Sequence, residues 1–385
     1  MQVDSFAKIA EPWAAVSKSM ADVKAFYFES TGQVVAFAMG DSYMDSAKGA
    51  IVVVDGANIG PVQMTTHNIY LSPFGYNALS LQGVNKIIDR ATSTVAVVIA
   101  ISEDGVVTSS EQPFNYGYPI CDLGGGKFLA SNKMTLTVCQ VNGDNTITVG
   151  ASVDVDTSPD AQSCIGAVFI GGKVVVLYGK YSPSGGLCRV GTVSGLSLSF
   201  PSPAYAIVSG SRFFVDALCA TGSDTFTALV DFDLPGGYTT YKPHLLSCTL
   251  SGDTVTVNDL RLVDDIFPDE SMGIPYSMAM SNTGALAVQF YNYDSYPENV
   301  TVAIYENGPI GDATSPLLVI ARETSGKRII SGCKSIVYDA ANKRFVSIFP
   351  YDENTAVVPY ISLYMATIDT VSAFWTNFSG QSEIL

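Results

Sequence analysis

Six short turn signals recur along the chain: Asp55-Gly56, Asp104-Gly105, Asn142-Gly143, Ser194-Gly195, Ser251-Gly252 and Asn307-Gly308. Dipeptides of this kind favour the tight turn of a β-hairpin. Their glycines are spaced 49, 38, 52, 57 and 56 residues apart. A period of that length is the mark of a repeat architecture and constrains the fold more than any single element does.

The flanks of these turns correspond as well. In Thr137–Val149, Cys188–Phe200 and Leu246–Val257 apolar residues alternate on both sides of the turn, as two half-buried antiparallel strands require. A seventh copy, Ile361–Asp369, has lost the glycine and continues into residues 373–378. A second hairpin precedes each of these, visible in Ala25–Phe37, Cys164–Tyr178, Tyr276–Phe290 and Lys334–Phe349. Each unit therefore reads as two hairpins, or four strands A to D.

Seven such units in 385 residues average 55 residues each. The expected fold is all-β: a seven-bladed β-propeller of four-stranded antiparallel blades with a short N-terminal extension. An array of β-sandwiches would show linkers rich in Pro, Gly and Ser, and a parallel β-helix would show a shorter repeat without hairpins. The blades are expected at 22–76, 77–116, 117–160, 161–211, 212–272, 273–328 and 329–378, with the fourth strand of the second blade carrying the faintest pattern. Residues 1–21 lie outside the units. One or two helical turns are expected around Pro12, in a segment that either closes the ring by joining the last blade or docks on a partner. Residues 379–385 form a C-terminal tail.

Composition narrows the function. The chain carries 20 Lys plus Arg against 36 Asp plus Glu, a net charge of −16, and no basic stripe, so nucleic acid is excluded as a partner. Charged residues make up only 15% while 47% are apolar, which supports a large core and excludes disorder. Residues 1–8 lack the basic and apolar regions of a secretory signal, and apolar runs such as 50–54 are too short to span a bilayer; no membrane insertion is expected. Seven cysteines (121, 139, 164, 188, 219, 248 and 333) include no CxxC. They are expected to be reduced core residues, four in A strands and three in C strands.

No catalytic, metal or cofactor site is expected. His67 and His244, the two histidines, lie in different blades without a GxSxG elbow. The acidic spacing of Asp154, Asp156, Ser158 and Asp160 lacks the glycine and the final glutamate of an EF-hand loop, and Asp231 with Asp233 is a pair only. Ser102–Thr108 matches the sialidase Ser-x-Asp-x-Gly-x-Thr box poorly, because its glycine comes one place early.

The loops between strands B and C are more informative. They place Tyr43, Tyr181, Tyr238, Tyr291, Tyr293, Tyr296 and Tyr351 among Asp, Asn and Ser. Tyrosine with short polar neighbours offers flat apolar area plus hydrogen bonds, suited to a protein partner or a sugar.

The hairpin Arg189–Phe200, repeated in style at Val141–Val149, resembles repeats in propeller proteins of tailed bacteriophage virions, often tail fibres. The similarity covers most of 22–378. The resemblance implies a non-enzymatic structural protein located in the virion and assembled in the host cytoplasm. It implies other virion proteins as partners, with attachment to a host surface receptor or glycan as a further role. The alternative expectation is a propeller that binds or hydrolyses glycans, which would converge carboxylates or arginines at one mouth of the ring.

Overall fold

A computed structural model describes residues 3–10, 20–40, 47–55, 58–61, 63–69, 78–158, 160–181, 184–209, 213–232, 242–262, 274–292, 299–309, 317–322, 328–329, 335–352 and 361–369. Every regular element among them is a strand.

The chain opens with β1 (Val3–Ala10). The first sheet holds β2 (Met20–Phe28), β3 (Gln33–Gly40), β4 (Ala47–Asp55), the two-residue β5 (Asn58–Ile59) and β6 (Gln63–Ile69), with both β5 and β6 on β4. The second holds β7 (Leu79–Leu81), β8 (Lys86–Arg90), β9 (Val95–Ile101) and β10 (Val107–Pro113), and the third β11 (Tyr118–Gly124), β12 (Lys127–Asn132), β13 (Thr135–Val141) and β14 (Ile147–Asp154). The fourth holds β15 (Ala161–Ile170), β16 (Lys173–Tyr181), β17 (Ser184–Ser194), β18 (Ser197–Ser199) and β19 (Tyr205–Ser209), the last two both on β17. The fifth holds β20 (Phe213–Ala220), β21 (Thr225–Phe232), β22 (Lys242–Ser251) and β23 (Thr254–Leu262), and the sixth β24 (Ile274–Met280), β25 (Leu286–Asn292), β26 (Asn299–Pro309) and β27 (Leu317–Arg322). In the seventh, β28 (Arg328–Ile329) and β29 (Ile336–Asp339) pair with β30 (Arg344–Asp352), which pairs with β31 (Ile361–Asp369).

The sheets are small and antiparallel, in a β-propeller arrangement. The first strand of each touches the first strand of the next: β2 contacts β7, followed in turn by β11, β15, β20, β24 and β29, which returns to β2.

The packing explains the sequence pattern. The core consists of clusters lying between neighbouring sheets. Phe28, Phe37, Ile51 and Val53 of the first sheet meet Ile87, Val97 and Ile99 of the second. Alternate residues of β9, Ala96 and Val98, face Phe128, Ala130 and Cys139 of the third. A sheet covered on both sides needs apolar residues at consecutive positions. Hence β9 reads VAVVIAI, whereas the outer β10 and β14 alternate half-buried and exposed residues.

Small polar side chains link the inner strands. The Ile336 amide donates to Ser277 Oγ at 3.2 Å, and the Ala25 amide donates to Ser335 Oγ. The Cys121 and Cys219 thiols are hydrogen-bonded by the backbones of Phe169 and Met280 in the following sheets, and burial pushes these thiols up to about 12 and about 11. Cysteines 121, 164 and 219 lie in innermost strands and 139, 188 and 248 in third strands; Cys333 lies outside the described residues. Cys121, Cys139, Cys188, Cys219 and Cys248 are free thiols.

Several expectations need correction. Residues 7–10 are not helical: they belong to β1, which pairs antiparallel with β31 from Val3↔Ile368 to Ala10↔Leu363. The pairing gives the backbone hydrogen bonds that a turn of helix would otherwise supply. The outer partner of β31 is thus the N-terminal strand, and residues 373–378, expected there, lie outside the described residues. Asn307-Gly308 is not a turn but part of β26. Four strands per sheet is too few for three of the sheets, which have five. The first sheet begins at Met20, so the boundary at residue 21 falls two residues late.

Candidate functional site

The hairpins fix two ends of the ring. Turns between first and second strands, at 29–32, 82–85, 221–224, 281–285 and 340–343, come together around one cavity. Second strands therefore start at that end and finish at the other. Turns between third and fourth strands share the cavity end. Gln33 Nε2, at the start of β3, donates to Glu103 O at 2.8 Å, and Lys86 Nζ, at the start of β8, donates to Asn142 O at 2.5 Å.

The tyrosines selected from the sequence belong to the far end. Tyr181, Tyr291 and Tyr351 sit at or next to the last residue of β16, β25 and β30, in register with Ser184, Val300 and Ser362. Three second strands thus deliver tyrosine to the same end of the ring. Tyr43, Tyr238, Tyr293 and Tyr296 lie outside the described residues.

The cavity end is the part sequence reasoning missed. Its volume is about 710 Å3, and it is lined from the first, second, fifth, sixth and seventh sheets by residues that include Tyr27, Glu29, Gln82, Met278, Met280 and Tyr338. Met278 and Met280 share a face of β24 because side chains alternate along a strand. Tyr338 is 9% exposed, packs edge-on to Phe345 with centroids 5.2 Å apart, and donates its hydroxyl to Asn282 Oδ1 at 2.8 Å. Tyr27 Oη accepts from the Ala341 amide at 3.0 Å, and burial raises its phenol above the ordinary value. Gln82 bridges two sheets: its Nε2 donates to Tyr27 O at 2.7 Å and its Oε1 accepts from the Glu29 amide at 3.2 Å.

Asp122 stands beside this rim. Its Oδ2 accepts from the Gln82 amide at 3.1 Å and its Oδ1 from the Gly124 amide at 3.2 Å. Burial is the main cause that pushes its carboxyl up to about 6, and the nearby Glu29 charge adds to it against those two hydrogen bonds. The turns at this end expose Glu29, Glu103, Asp104, Asp144 and Asp224. Lys86 is drawn into the contact with the 142–143 carbonyls and Lys173 into an ion pair with Asp253. Lys343 is an exposed cation of the 340–343 turn.

The other candidates resolve into local roles. Asp154 Oδ1 accepts from Thr135 Oγ1 at 2.7 Å, while Asp156 accepts from the Ser158 amide at 2.8 Å and from Tyr178 Oη at 3.1 Å. These carboxylates face separate partners. Ser102–Gly105 is a turn, with the Gly105 amide donating to Ser102 O at 2.9 Å and φ of +75° at Gly105. His244 is buried in β22 and His67 lies in β6. Asp233 lies outside the described residues.

No protein-family model matches the chain, and no curated protein matches it. Solved structures do. A protein of unknown function from Dyadobacter fermentans is 12% identical over 95% of this chain and 99% of its own, with a TM-score of 0.50. A protein from Lactobacillus plantarum is 12% identical over 84% and 92%, with a TM-score of 0.52. The Saccharomyces cerevisiae core factor is 9% identical over 97% of this chain and 62% of its own, with a TM-score of 0.50. At these identities the similarity shows a shared fold alone.

Proposed function

We propose that this chain is a non-enzymatic structural protein of a tailed-bacteriophage virion, in the tail or its fibres, and that the end of the ring carrying the second-to-third-strand loops docks a neighbouring virion protein. In this reading the molecule is a seven-bladed propeller closed by β1, whose pairing with β31 joins the two ends of the chain in one sheet. Attachment to a host receptor or glycan is a further role of the same end. The observation that carries the docking assignment is the recurrence of Tyr181, Tyr291 and Tyr351 at the ends of β16, β25 and β30. Tyrosine on a rigid frame supplies contact area at little conformational cost and is enriched among residues that dominate interface energies. The hairpin style at Val141–Val149 and Arg189–Phe200 points to the phage setting.

The test is mass spectrometry of density-purified particles from the source culture, with wild type and a triple variant, Tyr181→Ser, Tyr291→Ser and Tyr351→Ser. Stoichiometric wild-type peptides and at least tenfold depletion of the variant, at unchanged melting temperature, are expected; each buried interface tyrosine contributes on the order of 1–2 kcal/mol. Absence of the wild-type chain from particles refutes the virion assignment. Equal incorporation of the variant refutes the docking face.

A further inference from the structure

The cavity at the opposite end takes no part in that docking. A volume of about 710 Å3 falls within the range of small-molecule sites, about 300–1,000 Å3, and its lining selects among ligands. Glu29 is the one ionisable acid or base among the lining residues other than the phenols. The surrounding turns present Glu103, Asp104, Asp144 and Asp224 to solvent, Asp122 lies behind Gln82, and Lys343 is the exposed cation among them. An anion would meet this acidic surround without an Arg or Lys in the wall. A bare divalent metal would need several oxygen ligands together, and no group of three or more His, Cys, Asp or Glu occurs among the described residues.

The wall suits a charge carried on carbon. Tyr27 and Tyr338, both in the lining, are aromatic residues of the kind that attract a cation. The thioethers of Met278 and Met280, with Ala25, Ala220 and Ile336, offer polarisable apolar contact to a stem. Both tyrosines are fixed, Tyr338 by Asn282 and Phe345 and Tyr27 by the Ala341 amide, so little ordering remains to be done on binding.

We propose that this mouth binds an alkylammonium group, its positive end beside Glu29 and the tyrosine rings and its stem against Met278 and Met280. The site is separate from the docking end, so either assignment can fail without the other.

The test uses the full chain with 13C-labelled methionine methyls, titrated with n-butylammonium and, as the neutral probe, n-butanol. The methyl signals of Met278 and Met280 are expected to shift saturably with butylammonium in the millimolar range. Met134, at the far end of the third sheet, is expected to stay still. Glu29→Gln should weaken binding by about fivefold, the size of an exposed charge or cation–π contact, while an unmoved Met134 signal reports an intact fold. Equal binding of butanol, indistinguishable affinity of Glu29→Gln, shifts at all methionines, or no saturable shift would each overturn the proposal.

Discussion

Gly186 of β17 faces the ring of Phe213, the first residue of β20 in the next sheet. A Cβ at residue 186 would lie 2.6 Å from Cδ2 and Cε2 of that ring, about 1 Å inside ordinary carbon contact. Phe213 has no exposed surface and belongs to a buried cluster that includes Val175, Leu177, Val230 and Leu246, so the ring has little room to retreat. Two effects of Gly186→Ala oppose each other. Relief of glycine's backbone entropy in a strand stabilises by about 0.5–1 kcal/mol, and overpacking costs about 1–3 kcal/mol. With the contact this short, packing dominates, and a net loss of about 1–2 kcal/mol is expected. Phe213→Leu alone empties part of the pocket and costs about 1–3 kcal/mol. In the double variant the methyl occupies vacated space, so the losses are expected to fall short of their sum by at least about 1 kcal/mol. Urea unfolding of the four proteins, followed by near-ultraviolet circular dichroism, measures this. A Gly186→Ala protein as stable as wild type, or losses that add within about 0.5 kcal/mol, would refute the idea that a glycine-floored pocket receives this ring between sheets.

Two further outcomes follow from the geometry. The Asp122 carboxyl is pushed up to about 6 from an ordinary 3.8, so the folded state holds that proton more tightly than the unfolded chain. Its share of stability is fully present below about pH 4 and is lost as pH rises through about 6, by at most about 3 kcal/mol. Unfolding free energy measured from pH 4 to 7 should therefore fall less steeply in Asp122→Asn than in wild type, and parallel curves would contradict the assignment. Removing residues 1–10 leaves the outer edge of β31 unpaired. The truncated chain is expected to lose stability and to self-associate through that edge, so a monomer with unchanged melting temperature by light scattering and calorimetry would show that β1 does not close the last sheet.

The architecture was legible in the sequence because it rests on short-range signals. Turn chemistry and apolar runs are local, and a sheet buried on both sides writes itself as a run such as Val95–Ile101. The described strands of the second to sixth sheets fall within the expected windows, whereas the seventh sheet takes in β1 from outside its window and begins β28 one residue early, at Arg328. Long-range pairing was only half legible: the segment before the first blade was open to joining the last blade or docking on a partner, and its pairing with Ile361–Asp369 is the first of these. Nothing within Val3–Ala10 marks Ile361–Asp369 as its partner, since any alternating strand can pair with any free edge. Asn307-Gly308 has the local chemistry of a turn, yet β26 runs through it to Pro309.

The cavity end makes the same point for function. Glu29, Gln82, Met280 and Tyr338 are ordinary residues at or beside hairpin turns, separated by more than 50 residues from one sheet to the next. Each is unremarkable alone, and a cluster of tyrosines in loops is louder. The sequence by itself determined that hairpins repeat, that their strands carry alternating apolar residues, and that the molecule is acidic, because hydrophobic periodicity, turn preference and charge are sums over neighbours along the chain. Only the tertiary structure decided which turns share an end, where the cavity lined by Glu29 and Tyr338 opens, and which acid lies beside it, because those depend on the ring bringing together residues that no local interaction connects.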